Sequence, residues 1–77
     1  EYERMLAAQN YRCASCKEHQ DDVGVLAVDH SHATGKNREL LCGHCNMALG
    51  QTFEDPWRLM QLVKYIRKHN YPARFGR

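Results

Sequence analysis

The chain has 77 residues, 26% of them charged and 43% hydrophobic, with a formal net charge of +2. That balance describes one small globular domain and excludes an intrinsically disordered chain, a repeat array or a low-complexity segment, and no apolar run reaches membrane-spanning length. A core of this size rarely supplies more than about 3–5 kcal/mol by itself, so a covalent or metal staple is expected.

Taken in chain order, Tyr2, Met5, Leu6 and Gln9 recur at helical spacing and predict a short amphipathic helix over 2–9. It leads into a first CxxC pair, Cys13 and Cys16. Residues 17–24 have loop composition, whereas 25–30 are rich in branched apolar residues and read as a strand. Thr34, Gly35, Lys36 and Asn37 supply turn chemistry, and 38–41 read as the return strand. A second CxxC pair, Cys42 and Cys45, precedes a helix-compatible stretch from Asn46 to Leu49 that ends near Gly50. The last helix is predicted over about 55–69: Asp55 can cap it, Pro56 suits its first turn, and Leu59, Leu62, Val63 and Ile66 form one apolar stripe. Trp57 and Tyr65 on that helix are expected in the core or half-buried. The tail 70–77 reads as irregular, frayed or docked elsewhere in a longer protein.

A CxxC turn lets two thiolates converge on one ion, and two such turns complete the closed four-cysteine shell of a structural zinc. Cys13, Cys16, Cys42 and Cys45 are therefore expected to ligate Zn²⁺, against a competing reading as disulfides that needs an oxidising compartment. His44, inside the second pair, is a spare donor that four cysteines leave unneeded. Four thiolates on one Zn²⁺ carry a net −2, which brings the loaded chain close to neutrality, so total charge is a weak argument for nucleic acid. Its distribution says more. From Trp57 onward the chain holds Arg58, Lys64, Arg67, Lys68, Arg74 and Arg77 and no acidic residue, which suits either phosphate contact or a solvated helix face.

Between the two cysteine pairs lie Asp29, His30 and His32. Hydrolysis of a phosphodiester asks for a hard divalent cation and for a base that activates water. Asp29 and Asn46 are suitable oxygen ligands and His30 a suitable base, and a hairpin returns the chain so that Asn46 can face Asp29. Neighbours on an ideal strand point to opposite faces, so Asp29 and His30 serve one site only if the strand bends or twists there. Taken singly, each residue has a plain reading: Asp29, His30 and His32 as polar loop residues, and Asn46 as a helix-start residue.

The run 28–50, with Asp29, His30, His32, the turn around Gly35, Arg38, Cys42, Cys45 and Asn46, resembles the core of the phage recombination endonuclease VII family, within the HNH or His-Me finger nucleases. Gln9, Cys13 and Cys16 extend the likeness over roughly 2–50. The resemblance implies a small α+β domain spanning 1–77. It would have a ββα-metal core over 13–50, flanking helices, a four-cysteine zinc, and one Mg²⁺ or Mn²⁺. It implies that Asp29 and Asn46 hold the catalytic metal, that His30 is the general base, and that His32 contacts the scissile phosphate, leaving 5′-phosphate and 3′-hydroxyl ends. DNA is the implied partner, with Arg38, Lys64, Arg67 and Lys68 as candidate backbone contacts. A monomer is expected, dimerisation on DNA being the alternative, in the cytoplasm of a bacterial or phage-infected cell. Two positions depart from the junction-resolving member: Leu49 stands where it has a carboxylate one helical turn after the matching Asn, and Ser31 where it has an Asp. The reading from another class is a zinc-ribbon-like nucleic-acid or protein-binding module without catalysis.

Overall fold

The computed structural model describes residues 1–70. Its elements run α1 (Tyr2–Ala8), α2 (Gln20–Val23), β1 (Ala27–His30), β2 (Asn37–Leu41), α3 (Gly43–Gln51) and α4 (Pro56–Asn70). The predicted tail lies outside the described residues except for Asn70, which is the last residue of α4.

The core is small and built around the cysteines: Leu6, Cys13, Leu26, Leu40, Leu41 and Cys42 are buried, with Tyr2, Met5, Val28 and Leu49 packed against them. An isolated hairpin is at best marginally stable in water, so β1 and β2 need the covering helices. Side-chain hydrogen bonds stitch α1 onto the sheet. The Tyr2 hydroxyl donates to the Leu26 carbonyl at 2.7 Å. Gln9 pairs with both backbone polar groups of Leu40, its Oε1 accepting from the N–H at 2.9 Å and its Nε2 donating to the carbonyl at 3.1 Å. A glutamine amide thus acts as a one-residue strand on the free edge of β2. The Ala14 N–H shares the same carbonyl at 3.0 Å, which ties the first cysteine turn to that edge.

The strands pair antiparallel, Ala27 with Leu41 and Val28 with Leu40, but His30 pairs with Asn37. Two steps along β1 therefore match three along β2, a bulge that sets Arg38 and Glu39 opposite Asp29. Bulges bend the strand and tighten its twist. The irregularity falls at the residue pair that an ideal strand would point to opposite faces.

Strand β1 starts at Ala27 rather than at residue 25, and Asn37, expected in the turn, opens β2; three helices also depart from expectation. The expected loop over 17–24 contains the single turn α2, because the His19 side chain accepts from the Asp21 N–H at 3.0 Å and Gly24, at φ 94°, closes it. Helix α3 starts at Gly43 rather than Asn46, since the Cys42 sulfur accepts from the Cys45 N–H and caps it. Helix α4 begins as predicted, the Asp55 carboxylate accepting from the Trp57 N–H at 3.0 Å. Its stripe does not enter the core, however. Leu62, Val63 and Ile66 are 40–47% exposed, and Trp57 and Tyr65, expected in the core, are 70% and 64% exposed. Periodicity marks an amphipathic helix but not what covers it.

Candidate functional site

The four cysteine sulfurs gather at one end of the sheet, all within 4.8 Å of one another. Cys16 and Cys42, from different turns, are 3.9 Å apart. A disulfide would need about 2.05 Å. Four sulfurs each about 2.3 Å from one ion form a tetrahedron with edges of about 3.8 Å. The spacing thus matches a tetrahedral metal shell, and the cysteines are free.

Local hydrogen bonds prepare that shell. The Ser15 and Cys16 N–H groups reach the Cys13 sulfur at 3.4 and 3.5 Å, and the Cys45 N–H reaches the Cys42 sulfur at 3.4 Å. Burial opposes ionisation of Cys13, yet the backbone N–H groups of Cys42, Cys16 and Ser15 outweigh it and bring the thiol down to about 6. Cys45 moves the other way, pushed up to about 12 by burial and then by the neighbouring Cys42 sulfur. Crowded thiolates repel one another, and a cation in their midst is what allows all four to ionise. These residues could hold a zinc ion.

A cleft of about 560 Å³ opens beside the hairpin, lined by Ser31, His32, Ala33, Arg38, Gly50, Phe53 and Glu54. Arg38 is its central charge. Its Nε donates to Asp29 Oδ2 at 2.5 Å and its Nη1 to Glu54 Oε1 at 3.1 Å. These bonds, Asp29 first and Glu54 second, hold the guanidinium even more firmly protonated than usual. The Asp29 side chain is only 13% exposed. His30, at the end of β1, is exposed.

Asn46 lies on a neighbouring cleft with Met47, Gly50, Gln51 and Phe53, so the two clefts share Gly50 and Phe53. The structure therefore gathers His32, Arg38 and, through Arg38, Asp29 at one cleft, with Asn46 at the adjoining one. Lys64, Arg67 and Lys68 are exposed on α4, apart from these residues in the chain, and His44 is exposed within the second cysteine turn. Sequence reasoning missed Glu54. It lies 16 residues after Arg38 and carries no local signature, so only the turn between α3 and α4 reveals it.

Fold and site together define a small α+β domain with a two-stranded sheet and a four-cysteine cluster able to hold zinc. Residues 1–68 match the recombination endonuclease VII family, and the chain belongs to that family. It is also similar to the Gene 59 protein of Mycobacterium phage D29, 36% identical over 69 residues. That match covers 88% of this chain but 42% of the phage protein, so the chain spans less than half the length of that relative. Among the described residues no helix is long and apolar enough to cross a membrane.

Proposed function

We propose that this chain is a zinc-stapled, metal-dependent DNA endonuclease domain of the His-Me finger type. The observation that supports it most is the near-burial of Asp29 at the bulged end of β1, next to His30 and beside a cleft lined by His32 and Arg38. Membership of a family described as a recombination endonuclease supports nucleic-acid hydrolysis. In this reading Cys13, Cys16, Cys42 and Cys45 carry Zn²⁺ as a structural ion that contributes to folding.

The Asp29 carboxylate and the Asn46 amide oxygen are hard donors that fit Mg²⁺ or Mn²⁺. When bound there, such a cation neutralises charge on the phosphate and on the departing 3′ oxygen. His30, exposed to solvent, takes the proton of the attacking water. His32 contacts the phosphate from the cleft wall. Arg38 offers a planar guanidinium whose geometry suits phosphate oxygens. Lys64, Arg67 and Lys68 on α4 hold the DNA backbone without reading its sequence.

One such set of residues attacks one phosphodiester at a time, so a monomer should convert supercoiled plasmid first to open circles. The test is plasmid nicking with Mg²⁺ or Mn²⁺ present, its arrest by EDTA, and its loss in His30→Ala. Linear product at the earliest times, with a rate rising as the square of protein concentration, would instead indicate a dimer formed on DNA. The pairing of Asp29 with Arg38 favours a second reading, a zinc-ribbon-like binding module in which that pair is structural. Cation-independent DNA binding with no nicking would decide for it.

A further inference from the structure

The turn between α3 and α4 carries backbone strain that brings a carboxylate to the cleft. Phe53 and Glu54 are consecutive residues in the left-handed region, at φ 58° and 54°. Residues other than glycine persist there only where surrounding contacts enforce it. Here the Phe53 N–H donates to Gly50 at 3.1 Å, the Glu54 N–H to Leu49 at 3.0 Å and the Asp55 N–H to Thr52 at 3.0 Å, in each case to the carbonyl. The Arg38 guanidinium consequently spans two carboxylates from separate parts of the fold, Asp29 on β1 and Glu54 after α3.

Resting on the reading of Asp29 as a metal ligand, we propose that Arg38 is a built-in counter-ion of Asp29 that exchanges with the divalent cation. Glu54 is the positioning residue that keeps the released guanidinium at the cleft for a DNA phosphate. Two cations compete for one nearly buried carboxylate, and each repels the other. Arginine does not leave by losing its proton, so it has to move. Glu54, on the other arm of the guanidinium, turns that movement into a pivot rather than a release. An arriving phosphate gives Arg38 a new anionic partner and frees Asp29. DNA and the divalent cation therefore load cooperatively, each raising the affinity for the other by the same factor.

The experiment is Mn²⁺ binding to the zinc-loaded domain, followed by the spin-resonance signal of the free ion, with and without duplex DNA in a His30→Ala background that leaves the DNA intact. DNA is expected to tighten Mn²⁺ binding by about fivefold or more. Arg38→Gln should tighten DNA-free binding by a similar factor and remove most of the response to DNA. Glu54→Gln should weaken DNA-free binding, because Arg38 then stays on Asp29. If Arg38→Gln fails to retain zinc, Arg38→Lys serves instead: one ammonium cannot span both carboxylates, so the response to DNA should shrink. Unchanged Mn²⁺ affinity in the arginine variant, with the response to DNA intact, overturns the proposal. Asp29→Asn separates the two readings: if it binds Mn²⁺ as tightly as the parent, the ligand assignment itself fails, and the exchange with it.

Discussion

The side-chain amide of Gln9 satisfies both backbone polar groups of Leu40, 31 residues away in sequence, where Leu40 is fully buried. A helix end thereby completes the edge of the strand that leads directly into the second cysteine pair.

Gln9→Ala should therefore cost more than an ordinary surface change. It leaves the buried Leu40 N–H without a partner and removes hydrogen bonds worth about 1 kcal/mol each, so a loss of about 2–3 kcal/mol is expected. Urea unfolding of the zinc-loaded domain measures it. A loss below about 0.5 kcal/mol would mean that water replaces the amide.

Replacing any one of Cys13, Cys16, Cys42 or Cys45 by Ala should unfold or strongly destabilise the domain, since a structural zinc contributes folding free energy outright. Ligation requires thiolates, so protons compete with the ion: zinc should stay bound at neutral pH and be released as pH falls. Elemental analysis across a pH series, with circular dichroism alongside, follows both. Folded protein free of zinc at neutral pH would remove the staple from the account.

His30→Ala should keep zinc, fold and DNA affinity while cleavage falls by roughly a hundredfold or more, the usual scale for a general base. Its side chain is exposed at the end of β1, which makes a structural cost small. Asp29→Ala and Asn46→Ala should likewise keep zinc while changing the dependence on Mg²⁺ or Mn²⁺. Asp29→Ala also strands Arg38 beside Glu54, so its unfolding curve has to be measured with its rate. Parental cleavage by His30→Ala would assign the base elsewhere.

Charge reversal at Lys64, Arg67 and Lys68 together should weaken DNA binding similarly for all sequences and flatten its salt dependence. Each backbone phosphate contact contributes about 0.9 to the slope of log affinity against log salt, so losing three lowers it by up to about 2.7. Zinc content should not change. Binding titrations at several salt concentrations decide it, and an unaltered slope would leave α4 as a solvated helix face.

What the sequence determined by itself was local. Spacing within each CxxC pair is enough to converge two sulfurs, and the structure brings the two pairs together. Asp55 and Pro56 announce the start of α4, and the branched apolar run before the turn residues around Gly35 announces the hairpin. Strand geometry also gave the condition that Asp29 and His30 could share a site only if the strand bends there, because neighbouring side chains alternate. Tertiary structure decided the rest. The bulge itself shows only in the pairing of the two strands, Val28 with Leu40 but His30 with Asn37. The second partner of Arg38, Glu54, depends on a left-handed turn at Phe53 and Glu54 that no propensity favours. The apolar stripe of α4 was legible as a period, yet its exposure was not, because hydrophobic periodicity gives a helix a face without saying whether anything meets it. Cysteines paired within a tight turn can be read one turn at a time. Charge pairs joined across 9 and 16 residues exist only once the chain has folded around them.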